Sequence, residues 1–400
     1  YNQNGIYPDF ITIQNEPDYT ATWESCRLNP SETVNATDTI AGYNRALDSV
    51  YHRIIQREHQ PLILGPECVG IGYNAVENYV NALDISKLYG ISHHLYHGVN
   101  QTDPYASTNF TKVGNFHPEL PHFQTEFSGV PTGYSLGEWF FLAGLIYKSL
   151  HDENATAYLY WDLIWVDGNG LVSLDFPWDR SRWTDPKGYT RTKEFYSFKQ
   201  FSAFIHPGWT RMGASLTGNN VMGVAFMNPG KDSAVFVGIN RSITETFSLH
   251  LSVPGFSIDT SSIFRTSTTE DCEPTGALAD STFTLPPRSI STVQMQLSRI
   301  TNGTEPNMIV SPEGSFTSVS NYPNPFSHAT TLRFFLRDSG TIQLTLFDST
   351  GREIRKQSLG YRDKGIQEYS LQREGLESGI YYFILDNSLG GSAPGKLIVQ

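Results

Sequence analysis

Two glutamates stand where short apolar runs end. Glu16 lies in Asn15-Glu16-Pro17, directly after Phe10-Ile11-Thr12-Ile13-Gln14. Glu126 closes His122-Phe123-Gln124-Thr125-Glu126, bounded by Pro121 before it and by Gly129 and Pro131 after it. An apolar, β-branched run of this length reads as a buried parallel strand. Pro17 has no N–H to give a ladder, so the first strand must stop there. Each carboxylate is then presented at the carboxyl end of a strand, the face on which α/β barrels keep their chemistry. Two carboxylates so placed suit glycosidic bond cleavage with retention, one as acid/base and one as nucleophile. Either glutamate alone would read as a surface charge; the matched contexts carry the reading. Asn15 adds an amide that can bond a sugar 2-hydroxyl, a contact that strengthens in an oxocarbenium-like transition state.

The elements that must hold these residues are legible in residues 1–205. Strands read at Phe10–Gln14, Leu62–Leu64, Ile91–Tyr96, His122–Glu126 and Ala157–Trp161. Ile40, Tyr43, Leu47, Val50 and Ile54 recur at helical spacing and give a helix with one apolar face. Leu136–Leu150 reads as a second helix, with Ser135 and Glu138 as a capping box. Strands alternating with helices predict right-handed βαβ units and a parallel sheet. If Glu16 ends strand four of a (β/α)8 barrel and Glu126 ends strand seven, the remaining strands fall at Leu62, Ile91 and Ala157. The expectation is a barrel represented by strands four to eight, its first three βα units lacking. A 400-residue chain of this kind is expected to be inactive by itself, because an open five-stranded sheet exposes two apolar edges. Residues 206–299 change to short alternating strands with Gly, Asn and Pro turns, a β-sandwich side domain. Residues 300–316 read as a polar linker and residues 317–400 as a last β module. The predicted fold class is therefore α/β plus all-β.

The formal charge of −12 and a pI near 5.4 argue against a nucleic-acid or membrane-surface partner. No run approaches the ~18 apolar residues of a membrane helix. A monomer is expected, with no metal and no cofactor. Aromatic residues make up 13% and charged residues 17%, a balance shared by sugar-binding proteins and β-rich cores. Cys26, Cys68 and Cys272 have no metal-ligand spacing. Cys26 and Cys68 read as free buried thiols, with a loop disulfide between them as the alternative. Asn-x-Ser/Thr sequons occur at Asn35, Asn100, Asn109, Asn154, Asn240 and Asn302.

Ile11-Thr12-Ile13-Gln14-Asn15-Glu16-Pro17-Asp18-Tyr19, with Trp23-Glu24-Ser25-Cys26, resembles glycoside hydrolase family 30, most closely its xylan-cleaving subfamilies. The resemblance extends over residues 1–300 and implies a (β/α)8 barrel with a β-sandwich side domain and a retaining mechanism. It implies Glu16 as acid/base and Glu126 as nucleophile. Ser92-His93-His94-Leu95-Tyr96 is similar to that family's strand-six element, in which the tyrosine holds the nucleophile; Tyr96 and His94 become substrate-site candidates. Tyr158-Leu159-Tyr160-Trp161-Asp162 is similar to its strand-eight aromatic run, which implies Trp161 as a sugar floor. Trp165, Trp178 and Trp183 follow in the next loop as further stacking candidates.

The resemblance fails at one place. Members that require a glucuronate branch on xylan carry arginines after strand eight, whereas Leu163–Gly170 holds no cation. A branch carboxylate would lose a bidentate anchor there, and Asp167 would repel it; Arg180 and Arg182 come later in the loop. In the last module, Asn321-Tyr322-Pro323-Asn324-Pro325-Phe326, Asp348-Ser349-Thr350-Gly351-Arg352-Glu353, Ser378-Gly379-Ile380-Tyr381-Tyr382 and the terminal Gly395-Lys396-Leu397-Ile398-Val399-Gln400 resemble the type A sorting domain of the Bacteroidetes type IX secretion system. This implies delivery to the cell surface or medium and a signal peptide upstream. Together the expectations are a secreted endo-β-1,4-xylanase acting on xylan or glucuronoarabinoxylan. A β-1,6-glucanase or glucosylceramidase-like β-glucosidase would share its glutamates, and a non-catalytic surface glycan-binding protein is the alternative of another class.

Overall fold

The computed structural model describes residues 4–22, 24–34, 39–129, 134–166, 170–216, 220–300, 308–312, 316–336, 339–348, 352–388 and 392–400. Trp23, Asn35, Pro131, Asp167 and the turn residues Ser349-Thr350-Gly351 lie outside these. The chain divides into two compact units, Tyr1–Lys199 and Gln200–Gln400.

In the first unit the ordered elements are β1 (Phe10–Ile11), α1 (Tyr43–Ile54), β2 (Leu62–Gly70), α2 (Tyr73–Val80), β3 (Gly90–His97), α3 (Asn109–Gly114), β4 (His122–Glu126), α4 (Glu138–Lys148) and β5 (Ala157–Tyr158). The five strands form one sheet in the order β1-β2-β3-β4-β5, every pair parallel. Sequence order equals spatial order, as expected when each crossover is right-handed, and the sheet curls as half of a barrel. Tyr43 and Leu47 of α1 are fully buried against Ile63, Cys68 and Ile91, with Val50 and Ile54 partly buried beside them. That is the face the spacing predicts. Burying each such side chain stabilises the unit by ~1.5–3 kcal/mol.

Four expectations are corrected. The strand predicted over Phe10–Gln14 shrinks to β1, because Glu16 takes a left-handed φ of 46° and Pro17 cannot donate to a ladder. The chain stays beside the sheet through one bond, Glu16 N–H to the Glu67 carbonyl at 3.0 Å. The strand predicted over Leu62–Leu64 runs instead to Gly70, through Gly65-Pro66. The Ser135 capping box does not form: the N-cap of α4 is Gly137, which has φ 96° and makes no side-chain cap. Only Glu138 of α4 lies outside the core, since Trp139 to Lys148 are all buried. The strand predicted over Ala157–Trp161 ends at Tyr158.

The second unit holds two β modules. Residues 210–312 build a six-stranded and a four-stranded sheet around Phe236, Leu249, Leu285 and Val293. Met308–Pro312 pairs with Phe247–Ser252 and, by two residues, with Ala214–Ser215, so part of the segment read as a linker is a sandwich strand. Three apolar residues, Met308-Ile309-Val310, between polar and proline-bearing flanks are too short a run to read as a strand. Residues 316–400 form a three-stranded and a four-stranded sheet over Phe334, Leu344, Phe383 and Leu397. The Asn324-Pro325-Phe326 motif clasps the terminal strand. Asn324 accepts from Ile398 N–H at 2.7 Å and donates to the Lys396 carbonyl, while buried Phe326 exchanges backbone bonds with Ile398 and Gln400.

Candidate active site

The carboxyl ends of β1 to β4 converge on one acidic and aromatic cluster. Glu16 and Glu126 each bring a carboxylate oxygen within 4.8 Å of the other and of a His94 nitrogen. Chain positions 16 and 126 meet because the sheet curls. So close an approach of one oxygen from each suits a retaining pair, whose carboxyl groups stand ~5–5.5 Å apart, better than an inverting pair at ~6.5–9.5 Å.

Each partner is held. Tyr96, at the end of β3, donates its hydroxyl to Glu126 Oε1 at 3.1 Å and lies 3.3 Å from Ser128 Oγ. His94 faces Glu16 Oε1 at 3.0 Å through Nδ1 and Glu67 Oε2 at 2.8 Å through Nε2. Its Nδ1 also lies 3.8 Å from Glu126. Both nitrogens thus point at carboxylates, the arrangement that suits a doubly protonated ring. Burial pushes the His94 imidazole down, but the carboxylates of Glu67, Glu126 and Glu16 outweigh it and hold the group above the usual histidine range. Burial holds the Glu126 carboxyl above its ordinary range, with Glu16 and Glu67 adding to this while His94 and Tyr96 oppose it. Glu16, His94 and Glu126 are close enough to surround a metal ion. Both ring nitrogens of His94 already face carboxylates, an arrangement that suits proton chemistry.

Of the residues singled out in the sequence, Glu16, Glu126, His94 and Tyr96 meet here. His94 is buried, so its nitrogens do not face an open cleft. Asn15 sits beside Glu16 with an exposed side chain. Trp161 donates its backbone N–H to the carbonyl of Phe127, at the end of the Glu126 strand, and leaves its ring half exposed. Trp165 lies in a separate three-stranded sheet of Ile164–Val166, Val172–Leu174 and Tyr189–Arg191, also half exposed. Arg180 and Arg182 stack on the rings of Trp183 and Phe176 in their own loop. The three cysteines are free, Cys26 exposed and Cys68 and Cys272 buried; this corrects the buried reading of Cys26.

Sequence reasoning missed Glu67, and it missed a second buried cluster of His93, His122 and Glu153. The signal for Glu67 was a charged residue inside an apolar run, Leu62-Ile63-Leu64-Gly65-Pro66-Glu67-Cys68-Val69. Gly65-Pro66 reads there as a strand end.

A conserved exported protein from Bacteroides fragilis has a similar structure, with a TM-score of 0.55 and 16% identity over 73% of this chain and 66% of that one. Glycoside hydrolases are also among the structural neighbours. A family 44 xyloglucanase from Paenibacillus polymyxa gives a TM-score of 0.41 at 9% identity, covering 63% of this chain and 60% of that one. A family 51 α-L-arabinofuranosidase from Bifidobacterium longum gives 0.46 at 14% identity, covering 71% and 67%. The chain spans about two-thirds of the length of these proteins or somewhat less. No curated protein matches the chain. Residues 320–400 match the secretion system C-terminal sorting domain, which ties this part of the chain to type IX secretion and a surface or secreted destination.

Proposed function

We propose that this chain carries the catalytic pair of a retaining glycoside hydrolase of the family 30 kind, an endo-β-1,4-xylanase cleaving β-linked plant polysaccharide. The observation that supports this most is the approach of Glu16 and Glu126 within 4.8 Å at the carboxyl ends of parallel strands.

In the first step Glu16 gives its proton to the glycosidic oxygen while a Glu126 oxygen attacks the anomeric carbon. The bond to the leaving sugar breaks and a covalent glycosyl ester forms. In the second step Glu16 takes a proton from water, whose oxygen displaces Glu126 and restores the free carboxylate. Tyr96 steadies the attacking carboxylate, and the positive ring of His94 offsets the repulsion of two neighbouring carboxylates. Asn15 is placed to bond the 2-hydroxyl, and the half-exposed face of Trp161 gives the sugar a floor. Trp165 is a candidate for a more distant sugar. No cation within the described part of Leu163–Gly170 anchors a branch carboxylate, and the two later arginines are occupied by aromatic rings.

The test is product analysis by NMR during hydrolysis of xylan, glucuronoxylan, β-1,4-glucan and β-1,6-glucan by the protein expressed from its full-length gene. The expected result is xylo-oligosaccharides released first as the β anomer. First release of the α anomer overturns the retaining pair. Turnover confined to β-1,6-glucan overturns the xylan assignment and leaves the pair standing.

A further inference from the structure

The geometry points to Glu67 as a positioning residue for the acid/base, acting through His94 to keep a positive imidazole ring against Glu16. The inference rests on the retaining pair above, and the observations that carry it are backbone ones first. In the β2–β3 ladder, Pro66 pairs with Ser92 and Cys68 with His93, so Glu67 is left out. In the β3–β4 ladder, His93 pairs with Gln124 and His94 with Glu126, so Thr125 is left out. Two neighbouring strands thus carry bulges at the same level, and bulges serve to re-aim side chains near active sites. Glu67 pays for its place with a left-handed φ of 66°.

The two bulged residues find each other. Thr125 Oγ1 donates to Glu67 Oε2 at 2.9 Å, and the same oxygen faces His94 Nε2 at 2.8 Å. The freed carbonyl of Glu67 accepts the Glu16 N–H at 3.0 Å. One residue therefore fixes Glu16 twice, through its backbone directly and through its side chain by way of His94. Glu67 is 3% exposed, and its Oε1 has no hydrogen-bond partner among the described residues. A buried carboxylate so poorly provided is tolerable when its other oxygen faces a charged imidazole, and costly when that ring is neutral. A proton on each nitrogen of His94 lets the ring donate to Glu67 on one side and to Glu16 on the other. The charged and titratable groups facing His94 are Glu16, Asp18, Glu67 and Glu126 from other elements and His93 and Tyr96 from its own.

The test is histidine-labelled NMR of the full-length protein, following the His94 ring signal with pH and assigning it by its loss in His94→Gln. Wild-type His94 is expected to titrate above the ordinary ~6.5 of histidine. In Glu67→Gln the midpoint should fall by about one unit or more, and Glu67→Asp should restore most of it. A residue that only positions the acid/base should show in Glu67→Gln as a lower kcat with little change in KM. A wild-type midpoint at or below the ordinary value overturns the inference, even where Glu67→Gln fails to fold. So does the same midpoint in wild type and Glu67→Gln. These readouts concern the ring, so they separate from failure of the glycosidase reading, which appears as hydrolysis unchanged in Glu16→Gln and Glu126→Gln.

Discussion

The imidazole of His93 and the carboxylate of Glu153 meet at 2.6 Å with both side chains fully buried. His122 Nδ1 lies 3.6 Å from the same carboxylate oxygen, and His93 Nδ1 is 2.9 Å from the His94 carbonyl. Burial pushes the His93 ring down, but Glu153 outweighs it and holds the ring above its ordinary value. Burial pushes Glu153 up, and His93 with His122 outweigh it and hold the carboxyl below its ordinary range.

Stability of the first unit should therefore peak in a window set by this pair. The depressed Glu153 contributes stability that is present above its unfolded value of ~4.3 and is lost as pH falls through its lower folded value. The raised His93 contributes stability that is present below its unfolded value of ~6.5 and is lost as pH rises through its higher folded value. Urea unfolding across pH should give a maximum between these limits. Glu153→Gln should lower stability by ~3–5 kcal/mol and flatten the profile, because it leaves His93 without its counter-charge. An unchanged profile would mean that the pair is neutral in the fold.

Tyr96→Phe should lower kcat by about tenfold to a hundredfold, the equivalent of one hydrogen bond to a charged group at ~1.5–3 kcal/mol. The lost hydroxyl opposes protonation of Glu126, so the acid limb of the rate profile should also move to higher pH. Steady-state kinetics of the variant check both, and a rate within about twofold of wild type would remove Tyr96 from the nucleophile's support.

Unsubstituted xylo-oligosaccharides and the same oligomers carrying one methylglucuronate should be cleaved with similar kcat/KM. A positioned cation would give about tenfold to more than a hundredfold preference, and Arg180 and Arg182 instead lie over Trp183 and Phe176. A preference above about a hundredfold for the branched substrate would show that one of them leaves its ring to bind the acid.

Deleting residues 320–400 from the full-length gene should leave turnover of the purified enzyme intact and abolish its delivery to the surface or medium. The terminal strand is clasped by Asn324 and Phe326 within its own module, whose core is separate from that of the sandwich. Normal surface delivery of the deletion, assayed by fractionation, would reduce the module to an accessory domain.

How far the sequence foretold this arrangement depended on where backbone pairing departs from the regular ladder. His122–Glu126 matches its predicted bounds, since Pro121 limits one end and Gly129 and Pro131 follow the other. The α1 face matches because Tyr43, Leu47, Val50 and Ile54 leave one solution for burial. Glu16 was found by its neighbours, although the strand before it is three residues shorter than its apolar pattern suggests. Glu67 was lost because Gly65-Pro66 punctuates a strand that nevertheless continues, and because no local pattern announces a bulge. The Ser135 cap failed where Gly137, with its positive φ, offered a simpler start to a helix buried nearly all round.

The central claim is that Glu126 attacks the sugar. Its most direct measurement is covalent trapping: the full-length protein is incubated with an activated 2-deoxy-2-fluoro-β-xylobioside, digested, and its peptides are weighed and sequenced by mass spectrometry. The expected result is one fluorosugar on Glu126, with inactivation that tracks labelling and no label in Glu126→Gln. A label on any other residue, or hydrolysis that persists unlabelled in Glu126→Gln, would contradict it.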